Sequence, residues 1–277
     1  MSSVTSRINQ IKQPYGGYLS PSSFERICLD DGNKLFEYEN INAGLVGLVV
    51  DYMSRYFTGT DKNDAFKISL LGAKKANQEE KAYELLDNVS GLDDTSIISA
   101  CKLVGYDVCF RVGMIRFKPP KDINPDEWTI NNIRIMINRS LTFFNEYGPV
   151  IRDGITFEGG YSNYVTSGDA DFLTKDTLWD FKVRKNRYLS TQDTLQLLMY
   201  YIMGMHANDK DFLNIEKLGV FNPRANRIFI KNICDISDEV IRGVENEVIC
   251  YDELSLSVID INNQLREFEV LQEKKTR

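Results

Sequence analysis

Two short segments on either side of a polar turn at 175–176 place charged residues at alternate positions. The first carries Asp169 and Asp171, and the second carries Asp180 and Lys182. If the segments are antiparallel strands paired around that turn, Asp171 lies directly opposite Asp180 and Asp169 lies opposite Lys182. Because strand side chains alternate between faces, these four side chains share one face and their apolar neighbours share the other. The pattern predicts one core face and one face for chemistry.

Two carboxylates that face each other across a strand pair repel, so the arrangement needs a compensating positive charge. Mg²⁺ or Mn²⁺ would provide it, since such ions take oxygen ligands and are commonly held by one or two carboxylates plus phosphate oxygens. Lys182 beside them would orient or help deprotonate a water molecule and stabilise charge that develops on phosphate. These residue types predict a metal-dependent site for phosphodiester hydrolysis.

At these positions the chain resembles the PD-(D/E)XK nuclease superfamily, especially its RecB-type and lambda-exonuclease-like branches. The likeness rests on a short acidic signature and two polar residues of the next predicted helix: Asp171, Asp180-Phe181-Lys182, Gln196 and Tyr200. Over about residues 127–231 the resemblance implies a restriction-endonuclease-like α/β fold, in which helices flank a mixed central sheet.

The resemblance also implies a role for each of these residues. Asp171 and Asp180 would hold Mg²⁺ or Mn²⁺, and the carbonyl of Phe181 would complete the protein ligands. Gln196 would steer the water or the strand, and Tyr200 would contact nucleic acid. With Lys182, these residues form the expected site.

A further acid is usual in these branches, on the helix that precedes the sheet. Glu146 is the nearest match and would be a metal ligand, while Glu158 on the first predicted strand is its competitor, and both stay open. Ala170 stands where a proline often precedes the first acid of the signature. The five cysteines contain no C-x-x-C pair, so no iron–sulfur cluster is expected.

A local excess of positive charge follows the signature. Residues 175–187 hold five bases and two acids, an excess of +3 in a chain of net charge -7. Arg184, Lys185 and Arg187 are therefore expected to hold a nucleic-acid backbone, with a solvated loop as the plainer alternative. The overall charge excludes a protein that binds nucleic acid through bulk positive charge.

The surrounding pattern predicts four regions. Residues 1–24 are expected to form a flexible arm, 25–124 a mainly helical region, 125–235 the nuclease-like core and 236–277 two C-terminal helices. In the core, a helix from 125 to about 145 precedes strands at 155–157, 164–173 and 177–183. A helix at 191–206 and strands at 217–221 and 227–230 follow.

The composition and the first residues exclude further classes of protein. The longest apolar run, AGLVGLVV at 43–50, is far shorter than the roughly 20 residues of a spanning helix, so no membrane partner is expected. The first residues have no apolar core with a cleavage site, which predicts a cytoplasmic protein. One histidine cannot supply a multi-histidine metal site.

These observations predict a Mg²⁺- or Mn²⁺-dependent deoxyribonuclease that acts on double- or single-stranded DNA. The helical region 25–124 would govern which DNA end, strand or protein partner reaches the site. One alternative is an inactive nuclease-like binding or regulatory protein of phage or mobile-element origin. Another is a helical interaction module with a purely structural hairpin. RNA as substrate, and attack at ends or internally, remain open.

Overall fold

A computed structural model describes residues 2–114, 117–252 and 255–276, with side chains up to residue 267. It is an α/β protein built on a mixed six-stranded sheet, as predicted at that level. The strands in chain order are β1 (Ser2–Ser3), β2 (Glu25–Cys28), β3 (Arg152–Ile155), β4 (Val165–Ser167), β5 (Ala170–Leu173), β6 (Thr177–Phe181), β7 (Lys217–Asn222) and β8 (Arg227–Asn232).

Helices precede, interrupt and follow the sheet. They are α1 (Val4–Gln10), α2 (Ala43–Phe57), α3 (Lys62–Ala65), α4 (Lys67–Lys75), α5 (Glu79–Asp87), α6 (Asp94–Val104), α7 (Asp107–Arg111), α8 (Glu127–Tyr147), α9 (Thr191–His206), α10 (Asp238–Gly243) and α11 (Val258–Thr276). A π-helical segment, Val244–Ile249, continues α10. None of these described helices has both the length and the apolar character that a bilayer crossing requires.

The sheet order is β2-β8-β7-β6-β5-β3. Among the described strands of this sheet, β6 and β7 are the one parallel pair, and α9 connects them because parallel neighbours need a crossover connection. The hairpin of β5 and β6 pairs Phe172 with Trp179 and Leu173 with Leu178. This is the register predicted from the turn at 175–176, so one further step sets Asp171 against Asp180.

Both faces of the hairpin carry core residues, whereas one core face and one face for chemistry were predicted. Phe172 and Trp179 pack against α8, where Phe143 lies edge-on to Trp179 with ring centroids 4.8 Å apart. On the opposite face, Leu173 and Leu178 pack into the core formed with α9. The charged residues therefore occupy only the end of a face that is otherwise apolar.

Helix starts follow their capping residues. Asp93 accepts a hydrogen bond from the Ser96 amide at α6, and Asp126 does the same for Thr129 at α8. Ser190 and Asp193 form a reciprocal capping box at the start of α9. These local interactions explain why α9 begins where its sequence pattern predicts.

The course of the chain departs from the predicted pattern in two places. Residues 2–10 of the predicted arm form β1 and α1, with Val4 and Ile8 buried and α1 packed against α9. The predicted strand 164–173 is divided at Gly168, where β4 leaves to pair with β1. A side chain at Gly168 would collide with Val4, since a Cβ there would lie 2.7 Å from its Cγ2.

Replacing Phe143 with alanine is expected to lower the free energy of unfolding by about 3–5 kcal/mol. Phe143 is fully buried and stacks on Phe221 with centroids 4.2 Å apart, so truncation leaves a cavity between α8 and the sheet. Urea unfolding measures the loss. Tyr83→Ala, at an exposed aromatic of α5, is the control and should change stability by about 0.5 kcal/mol or less. Equal effects of the two changes would contradict this packing.

Candidate functional site

The acid pair lies where β5 and β6 meet. Asp171 is half-buried, and its Oδ2 accepts a hydrogen bond of 2.6 Å from the Phe181 amide. Asp180 is 3% exposed, and its buried Oδ2 accepts no hydrogen bond of good geometry. Lys182 compensates this carboxylate, with its Nζ 3.0 Å from Asp180 Oδ2. The predicted acids and amine are therefore brought together.

A polar chain continues from Lys182 onto α9. Lys182 Nζ donates to Gln196 Oε1 at 3.0 Å, and Gln196 Nε2 donates to the Tyr200 hydroxyl at 2.7 Å. Tyr200 is only 3% exposed and stacks on Phe157 with centroids 5.4 Å apart. Its predicted contact with nucleic acid does not fit this burial, because the ring lies inside the core. Its hydroxyl instead fixes the Gln196 amide that holds Lys182.

The charges of the pair are strongly coupled. Burial raises the pKa of Asp171 well above its usual range, and the nearby carboxylates of Asp180 and Asp51 raise it further. Burial also raises the pKa of Asp180, although Lys182 opposes this. The pKa of Lys182 is raised despite its burial, because Asp180 and Asp171 favour the ammonium form. We therefore describe Asp180 and Lys182 as an ion pair, and Asp171 as a carboxyl whose neutral form is favoured by burial and by the neighbouring carboxylates.

Sequence reasoning missed Asp51 of α2. This half-buried carboxyl lines the same cleft as Asp171, and burial raises its pKa to about 6, with Arg55 opposing and Asp153 adding to the effect. A signal was present, since Asp51 is the one charged residue in the apolar sequence from Val49 to Met53. Helix α2 rather than α8 thus supplies the carboxylate that, after Asp180, raises the pKa of Asp171 most.

Neither predicted third acid is placed like Asp51. Glu146 is exposed near the end of α8, does not line the cleft and influences Tyr147 electrostatically. Glu158 lines the cleft but is exposed, and it accepts a 2.6 Å hydrogen bond from Thr156. The structure does not bring Glu146 to the acid pair, because its side of α8 points away from the hairpin.

The cleft has a volume of about 1670 Å³ and lies between the helical region and the β3 and β5 end of the sheet. Its acids include Asp51, Asp153, Asp169 and Asp171, while Asp180, Lys182 and Gln196 do not line it. Its bases are Lys67, Arg55, Arg111 and Arg152. Arg55, Arg152 and Arg111 are held by ion pairs with acids, although Arg111 is half exposed, whereas Lys67 is exposed.

The predicted basic segment is only partly available to a ligand. Arg184 forms a two-point ion pair with Asp193, one arm of which is 2.9 Å long, and so supports the start of α9. Lys185 Nζ donates to the Glu37 carbonyl at 2.7 Å. Arg187 is exposed. The local excess of charge is thus used in part to hold the loop.

The donor chemistry around the pair fits a hard divalent cation. Across the described ranges, no three carboxylate, thiol or imidazole groups stand close enough to form a ready-made metal cluster. Mg²⁺, however, commonly takes one or two carboxylates, with water and substrate phosphate completing its shell. The carboxylates of Asp171 and Asp180 supply two such oxygen ligands, and Lys182 lies 3.0 Å from the Asp180 Oδ2 that would contact the ion.

Changing Asp51 to asparagine is expected to stabilise the metal-free protein above about pH 6 and to have little effect near its ordinary pKa of 3.8. When a carboxyl has a higher pKa in the folded state than in the unfolded state, the folded protein loses stability as the pH rises from the unfolded-state pKa to the folded-state pKa. Removing the charge should recover about 1–3 kcal/mol. Urea unfolding in chelator at both ends of this range measures it, with exposed Asp87→Asn as the control. A gain that does not depend on pH would contradict the assignment.

Comparison with known proteins finds no matching family model, no matching curated protein and no matching solved structure. The site is therefore interpreted from its own geometry.

Proposed function

We propose that this protein is a Mg²⁺- or Mn²⁺-dependent nuclease that hydrolyses phosphodiester bonds of DNA. The observation that carries the proposal is the pair of half-buried Asp171 and buried Asp180 on adjacent strands, with the Lys182 ammonium 3.0 Å from Asp180 and a cleft on the side of Asp171. Carboxylates that repel each other next to a cleft are costly to a fold. A bound cation would offset this repulsion and would itself be able to bind a phosphate.

The chain's own groups divide the work. Asp171 and Asp180 would hold the metal. Asp51, whose carboxylate raises the pKa of Asp171, would assist them, and the Phe181 carbonyl would be a further oxygen ligand. The bound ion would supply Lewis-acid stabilisation of the phosphate and a more acidic water. Lys182 keeps its proton because Asp180 and Asp171 raise its pKa. It therefore orients the water and neutralises charge as a hydrogen-bond donor, and does not act as the base.

Gln196 and Tyr200 position Lys182 rather than touch the substrate. Gln196 Oε1 accepts from the ammonium, and Tyr200 fixes the amide orientation that makes this possible. Substrate would enter the cleft, where Arg111 and Lys67 face it from the helical region. The proposed role of residues 25–124 is to select the DNA or a protein partner that reaches the acids.

The restriction-endonuclease-like assignment belongs to the same proposal. It is supported by the succession of α8, β3, β5, β6, α9, β7 and β8 and by the position of the acids on β5 and β6. In that arrangement the acids and the amine converge at one end of the sheet.

One observation favours the alternative of an inactive nuclease-like binding or regulatory protein. Asp180 is almost fully buried and already ion-paired, so Lys182 compensates the charge that a metal would otherwise neutralise. In this alternative the pair would stabilise the hairpin and the cleft would bind its partner without turnover.

Cleavage of labelled linear, circular and single-stranded DNA with Mg²⁺ or Mn²⁺ separates the two functions. Asp180→Asn and Lys182→Met are each expected to lower the rate by about 10²-fold or more, as groups that stabilise transition-state charge do. Asp176→Asn, at an ion pair with Lys217 in the turn, is the control and should retain activity. Absence of metal-dependent cleavage in wild-type protein, or equal rates in all variants, would contradict the nuclease.

A second activity comparison identifies the third acid. Asp51→Asn is expected to lower the cleavage rate by about tenfold or more, because its charge lies beside Asp171. Glu146→Gln should leave the rate unchanged, since this exposed side chain lies outside the cleft. Titration of the rate with Mn²⁺ shows whether the Asp51 defect reflects weaker metal binding. The reverse pattern would return the role to Glu146.

A further inference from the structure

A cluster of cations surrounds an exposed tyrosine outside the cleft. Tyr188, with 62% of its side chain exposed, lies near two guanidinium groups, 5.9 Å from Arg26 and 5.7 Å from Arg227. Arg227 also donates to the carbonyl of exposed Arg187 at 3.0 Å. These four residues, the Tyr188 surface, come from three separate parts of the chain. The sequence pattern around residues 175–187 reveals only Arg187.

The cations of the Tyr188 surface are not used by the fold as ion pairs. Among the described residues, Arg26, Arg187 and Arg227 form no salt bridge with a carboxylate, whereas Arg184 in the same loop pairs with Asp193. Their charge is concentrated in a chain of net charge -7. Unpaired guanidinium groups beside an exposed ring are suited to phosphates and to stacked bases.

The sheet register relates this surface to the acid pair. Asp180 pairs with Val220, Val220 with Phe229, and Phe229 with Arg26. Directly paired residues point to the same face, so Arg26 and Asp180 lie on one face in one row. Three strand spacings, roughly 14 Å, separate them. The Tyr188 surface thus lies level with the acid pair along the strands but at the β2 and β8 edge of the sheet, outside the cleft at the β3 and β5 edge.

We propose that the Tyr188 surface binds single-stranded nucleic acid, with the arginines on the phosphates and the Tyr188 ring stacked on a base. The choice of nucleic acid rests on the proposed function. Single strands are favoured over duplex because stacking requires an unpaired base, which a duplex keeps inside its own stack. The surface would hold the unpaired part of a substrate while the cleft acts elsewhere on it.

Fluorescence anisotropy of labelled oligothymidylate, with full-length protein in chelator, tests the proposal without cleavage. Tyr188→Ala is expected to weaken binding about fivefold or more, while Tyr188→Phe retains it, because the ring and not the hydroxyl stacks. Arg26→Ala with Arg227→Ala should weaken binding and reduce the slope of log affinity against log salt by about 0.7 for each phosphate that is no longer neutralised. The matched controls are Tyr83→Ala and Lys74→Ala with Lys81→Ala, all at exposed positions of the helical region.

Several results would overturn the proposal. They are absence of strand binding by wild-type protein, equal affinity in Tyr188→Ala, or displacement of the strand by heparin or duplex DNA as readily as by unlabelled strand. Thermal unfolding of each variant distinguishes damage to the surface from damage to the fold, and Tyr188→Phe keeps the test valid if Tyr188→Ala unfolds. Strand binding through Tyr188 without any cleavage would refute the nuclease and leave the surface, while cleavage without such binding would do the opposite.

Discussion

Repulsion between Asp171 and Asp180 is the constraint on which the site depends. Adjacent strands hold the two carboxyls in register, and α9 excludes water from Asp180. The fold compensates this with the Lys182 ammonium and with the Phe181 amide, which donates to Asp171. Only part of the negative charge is neutralised, because Asp51 adds a further carboxyl from α2. The proposed requirement for a divalent cation follows from this residual charge.

The start of α9 determines how this helix holds the Lys182 side chain. The capping box of Ser190 and Asp193 fixes the start of α9, which sets the position of Gln196 against Lys182. Asp193 also binds Arg184, so the loop after β6 is held by the same helix start. A substitution in this cap would therefore shift the Lys182 ammonium by moving α9, without altering any contact with the substrate.

Local pattern was sufficient to predict much of this arrangement. The hairpin register follows from strict alternation around a short turn, and the span of α9 follows from its cap and apolar period. Asp51 and the Tyr188 surface depend on how distant segments pack, and no local spacing encodes that. Tyr200 and Arg184 carry side chains typical of nucleic-acid contacts, yet one is buried on Phe157 and the other is paired with Asp193. The residue types predicted the chemistry, whereas the tertiary structure was needed to show which of these side chains a ligand can reach.

The most direct measurement of the central claim is a crystal structure of the protein soaked in Mn²⁺, with the ion located by anomalous scattering. If Asp171 and Asp180 hold the metal, a peak is expected in contact with both carboxylates, with Lys182 moved away from Asp180 or retained beside the ion. An empty position between those carboxylates at saturating Mn²⁺, with the ion pair of Asp180 and Lys182 unchanged, would contradict the claim.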